Sequence, residues 1–196
     1  MSETYTPKLN LIDTERGIKL VKDTFEHRLA AHLDLERVSA PRFLEVGNGL
    51  QDDLAGTQKP VSFTVKHREN PLEIVHSLAK WKRMALERYE FPIDKGLYTD
   101  MDAIRKDEDV DEIHSIYVDQ WDWEQVICPT RRTGAHLREA ASAVYSALIS
   151  TLTQVQHAYH STLTLPDQLK FLSTEQLLQQ YPDLSPKARE RAITQR

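Results

Sequence analysis

An α+β fold, a mostly antiparallel sheet flanked by helices, is predicted from three features of this 196-residue chain. Two stretches place apolar residues at three- and four-residue steps, the helical period. The first holds Ile18, Val21, Phe25, Leu29 and Leu33; the second holds Leu137, Ala141, Val144, Leu148, Leu152, Val155 and Tyr159. Between them, short alternating runs bounded by turn residues read as strands. The clearest is GLYTDMDAIRKDEDVDEIHSIYVDQWDWE, from Gly96 to Glu124: an alternating segment, a charged turn and a second alternating segment.

Taken in order, Asp13 is expected to cap a helix running to about Leu33. Arg37 to Val46 reads as one extended run, and Pro41 within it restricts that strand to an edge or an interface. The polar loop from Gly47 to Leu54 begins Gly-x-Gly. It is no dinucleotide fingerprint, because Asp52 stands where the third glycine belongs. Val61–Val65 and Leu72–Val75 read as short strands joined by a polar turn from His67 to Pro71. His76 and Ser77 then open a helix to about Tyr89, with Leu78, Trp81, Ala85 and Tyr89 as its apolar stripe. Ser77 is the expected N-cap, and free backbone donors at that helix start favour an anion.

Beyond the hairpin, Pro129 to Gly134 is a charged loop and Ala135 to Ser161 a packing helix without chemistry. Leu165 to Phe171 reads as a short extended run and Thr174 to Tyr181 as a short helix. Ser185-Pro186 starts a last helix with proline at its first position, and that helix is expected to run into Arg196.

Composition bounds the function. Hydrophobic content of 40% permits a packed core of one domain, and a net charge of −5 argues against a general nucleic-acid binder. The single cysteine, Cys128, excludes an intramolecular disulfide, and no Cys/His spacing fits structural zinc. No apolar run has membrane-spanning length and no secretory leader is evident, so a cytoplasmic protein without a membrane partner is expected.

The hairpin carries the chemistry. Alternation puts His114, Ile116, Val118, Gln120 and Asp122 on one face, and Ser115, Tyr117, Asp119, Trp121 and Trp123 on the other. Gln120 and Asp122 thus project side by side, stiffened from behind by two tryptophans. An amide and a carboxylate on a rigid strand suit an ammonium group, as in an amino acid. Solvated polar ends of an edge strand are the plain alternative. Arg105, at the turn, offers a fork of donors suited to phosphate or carboxylate. Lys82, four residues after Leu78, lies beside the buried stripe, within reach of a carboxylate at the mouth of the sheet.

The phrases HSIYVDQWDWE (114–124) and HSLAKWKR (76–83), with Arg105-x-x-Glu108 at the hairpin loop, closely resemble the ammonia-dependent aspartate–ammonia ligases, the type A asparagine synthetases. The likeness runs from about Thr14 to Arg196. That family is similar to the catalytic core of aspartyl-tRNA synthetase, so the resemblance implies a class II aminoacyl-tRNA synthetase-like catalytic core. Residues 13–46 look like its motif 1, the dimer-building element, and residues 96–124 like its motif 2. The loop departs from the family pattern, which more often reads Gly-Asp-Gly-Thr-Gln-Asp: Asn48 and Leu50 differ here, while Gln51 and Asp52 are kept.

The resemblance implies that ATP activates L-aspartate as β-aspartyl-AMP with release of pyrophosphate, and that ammonia then displaces AMP to give L-asparagine. It assigns catalytic roles to Arg105, Asp52 and Gln120, with Arg105 and Glu108 at the nucleotide. Lys82, Asp122, Ser77 and His76 would bind substrate, with Asp52 near the amine or the incoming ammonium. Met1-Ser2 offers no glutaminase cysteine, so free ammonia is the expected nitrogen donor, and a homodimer through motif 1 is implied. Family chains continue into further core strands and a glycine-rich motif 3 bearing a second phosphate-binding arginine and the acids that hold Mg2+. This chain is therefore expected to be an incomplete core, truncated at its C-terminus, with no metal site of its own. A non-catalytic paralogue, kept as a regulatory or dimerising module, is the alternative.

Overall fold

The protein was analysed as a computed structural model, which describes residues 6–52, 54, 56, 58–111 and 114–194. It forms two compact units, Met1–Leu163 and Thr164–Arg196.

In the first unit, helix α1 (Leu11–Leu33) is capped by Asn10, whose side chain accepts from the Asp13 backbone N–H at 2.9 Å. Asp13, the expected cap, therefore sits in the first turn, three residues after the actual cap, where its charge complements the helix dipole. The extended run after it does not form one strand. It splits into β1 (Leu35–Arg37) and β2 (Phe43–Glu45), which join different sheets. Proline at position 41 has no N–H for a ladder, and the break falls there.

One sheet has the order β1-β5-β6, where β5 is Gly96–Ile104 and β6 is Tyr117–Gln125. β1 runs parallel to β5, and β5 and β6 pair antiparallel along all nine residues of each strand. The second sheet is antiparallel, β2-β4-β3, with β3 shortened to Ser62–Phe63 and β4 spanning Leu72–Ile74. Three of the four strand pairings are thus antiparallel.

The hairpin divides two cores by parity. Leu97, Met101 and Ala103 of β5 face Leu44, Val75, Leu78 and helix α2 (Ala79–Arg88), which contributes Trp81 and Ala85. Tyr98 faces the other way, into a cluster with Leu29, Leu33, Leu35 and Ala147, against which Trp121 and Trp123 pack. The Trp121 ring lies 4.6 Å from Tyr98 and 5.9 Å, edge-on, from Phe25.

Helix α3 (Gly134–Tyr159) starts at Thr133, whose side chain caps His136, and packs along α1. Its buried residues are Ala147 and Thr151, with Ala143 and Val144 partly covered. Of the expected stripe, Ala141, Val144, Leu152, Val155 and Tyr159 are half-buried, while Leu137 is 66% exposed and Leu148 42%. Small residues let the two helices approach closely, and Gly17 of α1 lies against the ring of Tyr159.

In the second unit, α4 (Thr174–Gln180) opens with a capping box between Ser173 and Gln176, and α5 (Pro186–Thr194) begins at proline as expected. Residues 165–171 form no strand, because no second strand is there to pair with them. Gln195 and Arg196, into which the last helix was expected to run, lie outside the described residues.

Candidate active site

The site is built on the α2-facing side of the hairpin. Cross-strand register pairs Met101 with Gln120 and Thr99 with Asp122, so the odd positions of β5 and the even positions of β6 share that face. Gln120 and Asp122 lie on it as alternation predicts, with Val118 packed into the core below. Ile116, expected to extend this apolar patch, is 48% exposed. Gln120 is exposed, while the Asp122 side chain is only 20% exposed.

Lys82 lies across from them. Helix α2 buries it, with 4% of its side chain exposed, and its ammonium donates to Asp122 Oδ1 and, at 2.9 Å, to the carbonyl of Trp123. Glu124 Oε2 stands 3.7 Å from the same nitrogen. Removing an ammonium from water is costly, and two carboxylates and a carbonyl offset that cost here. Of its neighbours, Arg83 is largely exposed, and Lys80 uses its ammonium to hold the backbone of Gln51 at 2.8 Å.

Arg105 follows β5 at the mouth of the hairpin loop, where its N–H pairs with Ile116 O at 2.8 Å. Its Nε is buried and has no hydrogen-bond partner. A buried guanidinium donor left open is rare, because an unmade bond costs about 1–3 kcal/mol. Glu108 is half-buried in the same loop, and its N–H bonds Arg105 O at 3.1 Å. Asp107, beside it, accepts from Lys106 and from the backbone N–H of Lys59, tying the 58–60 segment to the hairpin loop. These bonds, that from Lys106 first, hold the Asp107 carboxyl below its ordinary value.

His76 is 1% exposed and its Nδ1 has no partner. Burial pushes its pKa down, a hydrogen bond from the ring to the Asp52 backbone works in the opposite direction, and the Arg105 charge lowers it further. Asp52 contributes its backbone to that ring, while its carboxylate closes a turn by accepting from the N–H of Leu54 at 3.1 Å. Ser77 does not cap α2. The helix begins at Ala79 with Leu78 at the cap position, and Ser77 Oγ accepts from the Ala79 N–H at 3.1 Å. Leu78 is fully buried in the core, and that packing fixes the helix start.

The structure brings Lys82 and Asp122 together, and the Arg105 charge and the Asp52 backbone both act on the His76 ring. Gln51, to which the residue pattern assigns no role, joins the polar loop to β4 and to His76. Its amide donates to Ile74 O at 3.0 Å and accepts from the His76 N–H at 3.0 Å. The side chain thus imitates a strand along β4. A glutamine amid loop residues carries no periodic signal that would have found it; only its retention in the loop that resembles the family pointed there.

Among the described residues, no group of three or more His, Cys, Asp or Glu side chains is placed to hold a metal ion. Also among them, no helix is long and apolar enough to cross a membrane.

The sequence model of the family described as aspartate-ammonia ligase matches residues 12–196. Curated aspartate–ammonia ligases from Levilactobacillus brevis and Clostridium perfringens are similar to the chain at 46% identity over 194 residues and 51% over 191. These alignments cover 98% and 96% of this chain but 58% and 57% of the relatives, so the chain spans little more than half of their length. Among solved structures, the asparaginyl-tRNA synthetase of Entamoeba histolytica matches with a TM-score of 0.54 at 9% identity, covering 87% of this chain and 36% of that one. The same synthetase in complex with asparaginyl-adenylate matches with a TM-score of 0.54 at 7% identity, covering 91% and 41%. At such identities the likeness is one of fold, and that fold is the class II synthetase core implied by the family resemblance. With a family match across nearly its whole length, the chain belongs to the aspartate–ammonia ligase family.

Proposed function

We propose that the protein of which this chain is the described part amidates L-aspartate with ammonia at the expense of ATP, giving L-asparagine, AMP and pyrophosphate. One observation carries the reading: a buried lysine of α2 pairs with Asp122 of the hairpin, and Arg105, just past β5 in the same hairpin, holds a buried donor without a partner. In this reading the side-chain carboxylate of aspartate attacks the α-phosphorus of ATP, forming β-aspartyl-AMP. Ammonia then attacks the β-carbon and AMP leaves. Both steps depend on placement and on charge neutralisation rather than on a protein nucleophile.

Arg105 meets the α-phosphate, where negative charge collects, and Glu108 serves the nucleotide's amine from the same loop. Asp122 and Gln120 take the ammonium end of aspartate, and Lys82 takes a carboxylate. His76, Ser77 and Asp52 border the reacting centre, with Asp52 near the incoming ammonium. Among the described residues no carboxylates converge into a Mg2+ site, and the family resemblance puts that ion's ligands in motif 3. A single catalytic domain, with motif 1 at about 13–46 and motif 2 at about 96–124, is part of the same proposal. So are a homodimer through motif 1 and a cytoplasmic location. Exposed Ile12, Ile18 and Val21 on α1 support the dimer.

The test is formation of asparagine and AMP from aspartate, ammonium and Mg-ATP. It is run with this chain and with a chain extended to the length of the curated relatives. Amidation that requires all three substrates is expected from the extended chain. Its failure there, with the protein folded, would favour the non-catalytic reading.

A further inference from the structure

The polar loop from Gly47 to Leu54 is fastened to the start of α2 through Gln51. Two other side chains of the loop turn back on it: Asn48 accepts from the Leu50 N–H at 2.9 Å, and Asp52 from the Leu54 N–H at 3.1 Å. Gln51 reaches outward instead. Its amide donates to Ile74 O at 3.0 Å and to Glu73 Oε2 at 3.4 Å, and accepts from the His76 N–H at 3.0 Å. Its own carbonyl takes a hydrogen bond from the Lys80 ammonium at 2.8 Å. All of these bonds run to the segment 73–80, where β4 ends and α2 begins.

The loop needs such a hold. Gly47 and Gly49 take φ of +81° and +80°, a region that glycine enters and leaves freely, so the backbone alone does not fix the loop in one place. Leu50 gives it an apolar foot against the core, but burial of that kind has no direction. The directional bonds come from Gln51, and they fall on groups that need them. His76 is 1% exposed, so its N–H has no water to turn to. Lys80 and Lys82 stand two residues apart on α2 and so point to different sides of it. Lys80 holds the loop, and Lys82 holds the hairpin through Asp122. One helix therefore positions both the loop that bears Asp52 and the strand that bears Asp122.

We propose that Gln51 and Lys80 are positioning residues: together they clip the Asp52 loop to the start of α2 and so preform one wall of the aspartate site. This rests on the ligase reading, which puts Asp52, His76 and Ser77 at the reacting centre, and deepens it. Neither residue touches substrate in this role. A loop ordered in advance spares aspartate the cost of ordering it on binding. Arg105 and Glu108, assigned to the nucleotide, belong to the hairpin loop, which the clip does not hold. Aspartate binding therefore depends on the clip far more than ATP binding does.

In the full-length protein, Gln51→Ala removes the bonds of the amide. Lys80→Met removes the bond to the Gln51 carbonyl at an exposed position. The KM for aspartate is expected to rise about 10- to 100-fold in the first, the scale on which misplaced supporting groups are felt. A rise of about 3- to 10-fold is expected in the second, with the KM for ATP changed by less than about 3-fold in both. The two effects should not multiply, because a loop freed by either change has lost its place already. An unchanged KM for aspartate, equal rises for both substrates, or full multiplication in the double variant would overturn the proposal. A second measurement needs no turnover: amide hydrogen exchange of the unliganded protein, read on peptides covering 47–54 and 74–77. Gln51→Ala should quicken exchange in both, and unchanged exchange there overturns the proposal. Failure of the unaltered protein to form asparagine would sink the ligase reading instead, and the exchange result then decides the clip by itself.

Discussion

Lys82 on α2 donates to the carboxylate of Asp122 on β6, and helix and strand hold the pair out of water from opposite sides. The contact joins the two sequence phrases that carry the family resemblance, one ending at Arg83 and the other at Glu124. In the proposed reaction a zwitterionic amino acid enters by exchanging partners: its carboxylate for Asp122 at Lys82, its ammonium for Lys82 at Asp122.

Asp122→Asn keeps the shape and removes the charge. Hydrogen bonds to charged groups contribute about 1.5–3 kcal/mol. The KM for aspartate is therefore expected to rise by about 10- to 100-fold, while that for ATP changes by less than about threefold. Initial-rate kinetics with each substrate varied in turn check this; equal changes in both contradict the assignment.

Arg105→Ala is expected to lower aspartate-dependent pyrophosphate release by about 100- to 1000-fold, the range for losing one preorganised donor at a developing charge. Because Nε of Arg105 has no partner in the protein, its removal orphans no acceptor bonded to that atom. Thermal unfolding of the variant should stay close to that of the parent. Unchanged pyrophosphate release would take Arg105 out of the mechanism.

Tyr98 reports on the other face of the hairpin. Burial, then the hydrogen bond from its hydroxyl to Glu26 Oε1 at 2.8 Å, push its pKa up from 10.0 to about 12. A raised value means that folding favours the neutral phenol. Its contribution to stability is thus complete below pH 10 and is lost as pH rises from 10 to about 12. Denaturant titrations across that window should show a loss in the parent that Tyr98→Phe lacks. The same slope in both would show that Tyr98 ionises as freely folded as unfolded.

Gly96 opens β5 where the parallel and antiparallel neighbours close in. A Cβ there would fall onto the carbonyl oxygen of Glu124, 2.7 Å from Leu35 Cδ2 and 2.9 Å from Gln125 Cα. Two of those atoms are backbone and cannot swing aside. Gly96→Ala should therefore destabilise the fold by about 1–3 kcal/mol, measured as a lower denaturation midpoint with an unchanged slope. A neutral effect would mean that β1 and β6 sit less tightly against β5 than described.

Much of the hairpin was legible from residues alone, because alternation along a strand is a local property. Parity put Asp122 and Gln120 on one face and the two tryptophans on the other, and helix spacing put Lys82 within reach. Its carboxylate partner, however, turned out to be Asp122 of the protein itself. What escaped was tertiary. The run from Arg37 to Val46 parted into two sheets, a choice made by the partners β5 and β4 and not by the run. On α3 the most buried positions are Ala147 and Thr151, each beside a leucine of the expected stripe, because periodicity marks a helix face more loosely than packing does. Asn10 outdid Asp13 as a cap because hydrophobic spacing does not mark the first turn. The joining of His76, Gln51 and Asp52 depended on a loop folding back over β4, and no periodicity encodes that. The reaction itself was read from the resemblance rather than from composition or spacing.

The most direct test of the central claim is a crystal structure of the full-length protein with a non-hydrolysable β-aspartyl-adenylate analogue. The account predicts phosphate oxygens at the Arg105 guanidinium, with the aspartyl ammonium at Asp122 and its carboxylate at Lys82. An analogue bound elsewhere, or one that leaves Lys82 on Asp122 and the Arg105 donor still open, would contradict it.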